Sequence, residues 1–340
     1  VRRDRRGRKG RGSFVLILLG LLPVPATAQG GGAGREDPAS LADRAERSKD
    51  PRERALLARK LLKTLALEGK DLPLLEARAW LLLEDPLPAS RALDRYLRRA
   101  EAPFPPAVLP LFRRTGELLL KKGLGRAAGE LLGAFVKKSP SPPPWAFGNL
   151  VRAWAAGGLG GKEEEMVRAG LLALEGGFRD WGFVQAFYRL LVHVDRGGRP
   201  EWAVKGFRVL HRIFPRQAWS ALSLAVALRH TGRYQEAAMV LHEAARLLPG
   251  DPALPTDEGL SWKCLGRMDL ARKCFLRGIA AAPPSKTRDP RISLGLLLLD
   301  RGKRKEAARV MAPTLRLAPP QPYAWLLWVR SAFCCGRRGF

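Results

Sequence analysis

The sequence predicts an all-α fold: a right-handed superhelical solenoid of antiparallel helix hairpins. Three observations predict it. Glycines recur at Gly198, Gly232, Gly266, Gly302 and Gly336, at steps of 34, 34, 36 and 34 residues. Prolines run in phase, 17 residues on, at Pro215, Pro249, Pro283 and Pro319. An alanine follows the first four glycines five residues later, at Ala203, Ala237, Ala271 and Ala307. A period of this length, punctuated this way, describes a helix–turn–helix unit that buries its apolar face only by stacking on neighbours.

Residues 218–251 show what one unit needs. Trp219 to Thr231 reads as a first helix, with Leu222, Ala225, Val226 and Leu228 at helical spacing. Gly232 stands where that helix must stop, because glycine accepts the positive φ of a helix C-cap. Gln235 to Leu248 reads as the second helix, apolar along Ala237, Ala238, Leu241, Ala244, Ala245 and Leu248. Pro249 ends it by removing a backbone donor and disfavouring helix in the preceding residue.

Small residues recur where two helices must approach. Gly116, Ala225, Gly259 and Gly295 form a first-helix column, and Ala128, Ala203, Ala237, Ala271 and Ala307 a second-helix column. Four positions beyond each of the latter stands a larger residue: Leu132, Phe207, Leu241, Phe275 and Met311. This predicts small-against-large interlocking of helices. The order small, small, large, proline resembles the tetratricopeptide repeat family, most closely over residues 184–321.

The repeats are expected throughout 39–340. Residues 184–217, 218–251, 252–285 and 288–321 read as clean repeats. Residues 39–183 read as degenerate ones: a hairpin over 40–69 with Pro51 opening its second helix, then 73–106 with Ala92 and Tyr96, then 109–142, then an irregular unit over 143–183. Residues 322–336 match one more first helix, ending at Gly336. In all, roughly seven hairpins and a terminal helix are expected. That last helix, PYAWLLWVRSAFCCG, is apolar on nearly every side, so Trp325, Trp328 and Phe333 form a candidate docking face. Either the face self-associates or meets a membrane, or the chain is the N-terminal part of a longer, truncated protein.

Ahead of the repeats, residues 1–28 read as a signal peptide. A basic start, VRRDRRGRKGRG, precedes the apolar run FVLILLGLL, and Ala26-Thr27-Ala28 fits a small-x-small cleavage site. The run is short for a bilayer span, and an uncleaved anchor is the alternative. Residues 29–38 read as a flexible linker. This layout, with a composition rich in Ala, Gly, Arg and Pro, predicts export into a bacterial envelope or periplasm.

The net charge is +28, of which residues 1–28 carry +6, leaving about +22. Such a charge attracts anionic polymers or lipid headgroups at long range. The arginines are scattered over many helices, and an export signal argues against nucleic acid. Nucleic acid is therefore disfavoured, while contact with a membrane surface stays open.

Catalytic and cofactor motifs are lacking. Cys264, Cys274, Cys334 and Cys335 have no metal-ligand spacing. Cys264 and Cys274 lie on two helices of one repeat and read as packing residues, with a disulfide as the alternative. GGLGGKEEE (157–165) fails as a phosphate loop: Ala156 stands at the first required glycine and Glu163 at the Mg²⁺-binding hydroxyl. Glu163–Glu165 fit a helix N-terminus instead. The expectation is a non-catalytic protein with no cofactor.

The resemblance implies where a partner would lie. In tetratricopeptide solenoids the first helix of each repeat lines a concave groove. Matched position by position, this implies Gln185, Tyr188, Val192 and Arg196, then Trp219, Leu222, Val226, Arg229 and His230, then Thr256, Leu260 and Lys263, then Ile292. The lysine–asparagine clamp by which some relatives grip a C-terminal carboxylate is not matched, since Tyr188, Leu222, Thr256 and Ile292 occupy the lysine positions. The expected function is that of a scaffold binding a peptide or protein segment in this groove. Tyr188→Ala or Trp219→Ala is expected to weaken a groove ligand without unfolding the chain.

Overall fold

A computed structural model describes residues 37–67, 69, 71–157, 161–281 and 289–315. The signal peptide, the terminal helix with Trp325, Trp328 and Phe333, and Cys334 and Cys335 lie outside the described residues. Among those described, every regular element is helical. No helix there is long and apolar enough to cross a membrane. The chain divides into two compact units, one up to Pro142 and one from Pro143, where the sequence reading carries a single array through.

The first unit holds α1 (Pro38–Arg47), α2 (Pro51–Leu67), α3 (Pro73–Leu82), α4 (Pro86–Arg99), α5 (Leu109–Lys121) and α6 (Gly125–Lys138). The second holds α7 (Pro144–Ala155), α8 (Glu163–Glu175), α9 (Trp181–Arg196), α10 (Pro200–Ile213), α11 (Ala218–His230), α12 (Tyr234–Leu247), α13 (Ala253–Cys264), α14 (Met268–Ala281), α15 (Pro290–Asp300) and α16 (Arg304–Leu315). Sixteen helices among the described residues pair as eight hairpins, one more than the rough expectation. The linker also ends earlier than its expected limit. Asp37 accepts a hydrogen bond from the Ser40 N–H at 3.2 Å, and Pro38 is the buried first residue of α1.

Prolines open α1, α2, α3, α4, α7, α10 and α15. Their missing N–H costs nothing at a first helical position, and their fixed φ suits it. The glycine ladder has an equally simple cause. Gly198, Gly232, Gly266 and Gly302 have φ of +79°, +75°, +77° and +75°. After Gly232, the Arg233 N–H reaches back to the Leu228 carbonyl at 2.8 Å, while the Gly232 N–H bonds Arg229 O at 3.0 Å. This double closure is a Schellman cap. At the end of α3 the equivalent left-handed residue is Glu84, at φ +54°, so this degenerate repeat keeps the left-handed cap without the glycine.

The small-against-large scheme is realised at atomic contact. A Cβ on Gly259 would lie 2.6 Å from Phe275 Cε1, one on Gly295 would lie 2.4 Å from Met311 Cγ, and one on Gly116 3.2 Å from Leu132 Cδ1. Around α9 the polarity inverts. There the glycines sit on the second helices, Gly170 of α8 against Phe187 and Gly206 of α10 against Leu191. In the irregular unit, Phe178 of the loop after α8 fills the space above Gly148 of α7. Apolar clusters are shared between a hairpin and a helix of its neighbour. Ala271 and Phe275 of α14 pack with Leu294, Leu297 and Leu298 of α15, and with Ala307 and Met311 of α16.

Candidate peptide-binding groove

The second unit brings α9 and α11 together through side chains rather than close backbones, and a cleft of about 540 Å³ opens between them. Its lining is Trp181, Val184, Gln185, Tyr188, Arg189 and Trp219. Tyr188 meets Trp219 edge-on, with ring centroids 5.6 Å apart at 88°. Ser223 Oγ donates to Tyr188 Oη at 3.2 Å and fixes the ring from α11. Tyr188 also packs on Phe207 at 5.7 Å, and Trp219 on Phe214 at 5.8 Å. The two rings are therefore partly structural. Replacing either by alanine removes packing as well as lining, so the expectation that neither change disturbs the fold is withdrawn.

Trp181 is 58% exposed at the start of α9. Sequence reading missed it because the repeat was counted from residue 184. The signal that could have found it is Asp180, which caps α9 by accepting the Phe183 N–H at 3.0 Å. Arg189 and Arg196 are exposed along α9 and carry no ion pair among the described residues.

The remaining expected groove residues divide into three sets. Gln185 is exposed, and Val192, Leu222, Val226, Leu260 and Ile292 are half-buried on their helices, with Leu260 also packed on the apolar cluster of α14–α16. Arg229, His230 and Lys263 join successive first helices. Arg229 Nη2 pairs with Asp257 Oδ1 at 2.8 Å, His230 Nδ1 lies 2.9 Å from Asp195 Oδ1, and Lys263 Nζ pairs with Asp300 Oδ2 at 2.7 Å. Thr256 is corrected outright. It is buried, its hydroxyl donates to Pro252 O at 2.6 Å, and it faces Gly278 of α14 rather than a groove.

A larger cavity, about 850 Å³, lies among α12, α13 and α14. Glu258, 3% exposed, accepts from Arg277 Nη2 at 2.7 Å and from Trp262 Nε1 at 3.4 Å, with His242 Nδ1 3.3 Å away. Nothing in the sequence pattern marks Glu258 as buried, since a charged residue on an amphipathic helix reads as solvent-facing.

Cys264 and Cys274 are free thiols, so the disulfide alternative is not realised. Burial pushes the Cys274 thiol up to about 11, against the lowering effect of Arg277, 3.1 Å from its sulfur. Iodoacetamide should therefore modify exposed Cys264 far faster than Cys274 in the folded chain, as read by peptide mass spectrometry. Equal rates would contradict the packing of α14.

His211 is half-buried, with Nδ1 3.1 Å from Ser220 Oγ. Burial pushes its pKa down, and the Glu243 charge opposes this only in part. The unfolded chain thus binds the proton more readily. This contribution to stability is full above the ordinary value of 6.5 and is lost as pH falls through that value towards the lowered one. The melting temperature should drop between about pH 7 and pH 5, and His211→Gln should flatten that drop. An equally steep drop in the variant would assign the effect elsewhere.

At the N-terminus of α8, Glu163 bonds its own backbone N–H. That bond, with the Gly161 N–H at 3.3 Å and the nearby Arg199 and His193, holds its carboxyl below the usual range despite partial desolvation. Among the described residues no group of three or more His, Cys, Asp or Glu is placed to hold a metal ion.

Period, caps and interlocked small and large residues define the class: a tetratricopeptide-like helical-repeat protein. No protein-family profile matches the chain, and no curated protein matches it in sequence. Solved structures do match. A tetratricopeptide repeat protein from Parabacteroides merdae aligns with 76% of this chain and 97% of its own, at 14% identity and TM-score 0.38. A thermophilic TPR protein of Thermus thermophilus aligns with 56% and 97%, at 23% identity and TM-score 0.39. MamA of Desulfovibrio magneticus aligns with 50% of this chain and 94% of its own, at 17% identity and TM-score 0.38. These scores are low, and the class rests on the chain's own period, caps and packing.

Proposed function

We propose that the chain is a non-catalytic scaffold that binds a peptide segment of another protein on the first-helix side of its second unit. The observation that carries this reading is the cleft lined by Trp181, Tyr188 and Trp219 with the unpaired Arg189 in its wall, and the unpaired Arg196 about two turns further along α9. Large rigid aromatics supply contact area at low entropic cost, and Tyr188 and Trp219 are already held by Phe207, Phe214 and Ser223, so little further ordering of these two is needed on binding. The free guanidiniums favour a segment that carries carboxylates beside an apolar anchor. Placement in a bacterial cell envelope belongs to the same proposal and rests on the layout of residues 1–28 and on the composition.

A peptide-display selection against the full chain tests it. Selected peptides should be enriched in acidic residues around an aromatic or aliphatic anchor. Trp181→Ala is the informative variant, because that ring is exposed and contributes little to the core. It should weaken a selected peptide by about 2 kcal/mol, roughly thirtyfold. Unchanged affinity in Trp181→Ala and in Arg196→Glu would place the site elsewhere.

A further inference from the structure

Helix α2 carries a surface of a different kind from the rest of the first unit. Its inner face buries Leu57, Ala58, Leu61 and Leu65. Its outer face presents Arg52, Leu56, Arg59, Lys63 and Leu67 at successive steps of three or four residues, with Lys60 beside them, all exposed. The two leucines are 67% and 76% exposed. The stripe runs about 22 Å at 1.5 Å per residue. Within 51–67 the one acid is Glu53, which accepts the Ser48 hydroxyl at 2.7 Å.

An arginine-rich composition does not account for this face. On neighbouring helices most arginines are answered by carboxylates: Arg95 by Glu76 and Asp71, Arg98 by Asp94, Arg99 by Asp71, Arg113 by Glu117 and Arg126 by Glu130, although Arg47, Arg91 and Arg114 are not. On α2, Arg52, Arg59 and Lys63 have no side-chain partner among the described residues. Unanswered positive charge interleaved with exposed aliphatic side chains on one helical face suits an interface of anionic headgroups above acyl chains. A nucleic acid would use the charges but gains nothing from the leucines, and α2 has no aromatic residue on which a base could stack.

We propose that the outer face of α2 docks on an anionic bilayer surface, with Arg52, Arg59 and Lys63 among headgroup phosphates and Leu56 and Leu67 reaching the acyl boundary. This surface is separate from the aromatic cleft, and each can fail without the other.

The test uses the full chain with vesicles of phosphatidylcholine, with and without phosphatidylglycerol, and with a single-stranded oligonucleotide. Sedimentation gives affinity, and acetylation footprinting gives the site, since the basic N-terminal segment can contribute to affinity. Anionic vesicles should protect Lys60 and Lys63 from acetylation and leave Lys305 of α16 reactive. Arg59→Gln with Lys63→Gln should weaken vesicle binding by about 25-fold, at roughly fivefold per charge. Arg272→Gln with Lys273→Gln, the same charge loss on exposed positions of α14, should have little effect. Leu56→Gln with Leu67→Gln should weaken vesicle binding and leave oligonucleotide binding unchanged. Absence of Lys63 protection, equal losses in the two charge variants, or indifference to the leucines would each overturn the proposal. The last, with oligonucleotide binding intact, would mark α2 as a general polyanion surface.

Discussion

Phe275→Ala should lower the stability of the second unit by about 3–5 kcal/mol, read as a shift of the urea unfolding midpoint. The ring is fully buried and lies against Gly259 of its own hairpin while joining the cluster of α15 and α16. The pair should show its coupling in reverse as well. Gly259→Ala places a methyl 2.6 and 2.8 Å from the ring and 3.1 Å from Ala271 O, so it should cost on the order of 1–3 kcal/mol. Adding Phe275→Leu to Gly259→Ala should recover part of that loss, because the smaller side chain vacates the space the methyl needs. A Phe275→Ala variant within about 1 kcal/mol of the parent would contradict the interlock on which the repeat assignment rests.

Arg229→Met should destabilise by a comparable amount, about 3–5 kcal/mol. The Arg229 side chain is 16% exposed and its Asp257 partner 11%, and Arg229 Nη1 also lies 3.3 Å from Ser261 Oγ and from Asp257 O. Removing the guanidinium strands a largely buried carboxylate without its ion-pair partner. Arg229→Met combined with Asp257→Leu should recover most of the loss, since an apolar pair asks for no compensation there. The single substitution also separates two roles for Arg229. The family resemblance makes it a ligand contact, whereas its geometry makes it a bond between α11 and α13. Lost stability with unchanged peptide affinity at low temperature supports the geometry, and the reverse pattern supports the resemblance.

The fold was legible because its punctuation is chemical. Gly232 and its counterparts are glycines because a Schellman cap requires positive φ, and Pro51, Pro73 and Pro86 open helices for an equally local reason. Gly259 facing Phe275 could be anticipated from spacing alone, as both residues keep their place in the period. The inverted pairs were not anticipated: Gly170 with Phe187 joins residues of adjacent hairpins, whose relative rotation no local rule specifies, and Gly206 with Leu191 exchanges the small and large positions within the α9–α10 hairpin. The candidate site was legible only in part. Tyr188, Gln185 and Trp219 do line one cleft, but Trp181 was missed by a register that began three residues late, and Arg189 because the resemblance does not place its repeat position in the groove. Thr256 was misplaced for a related reason. A small hydroxyl on α13 satisfies itself on Pro252 O and then packs as an apolar residue would. The pairs Arg229–Asp257, His230–Asp195 and Arg277–Glu258 span 28, 35 and 19 residues, and polarity along one helix does not distinguish such bonds from solvated charges.

The most direct test of the peptide-binding reading is site-specific photocrosslinking of the chain in cell extract. A photoreactive residue at Gln185, inside the aromatic cleft, is compared with one at Leu276, beside the cavity of α12–α14. The reading predicts a discrete protein adduct from Gln185 that survives high salt (about 0.5 M), is competed by a selected peptide, and is absent from Leu276. Adducts from Leu276 alone, or adducts from Gln185 that vanish at high salt and ignore the peptide, would contradict it.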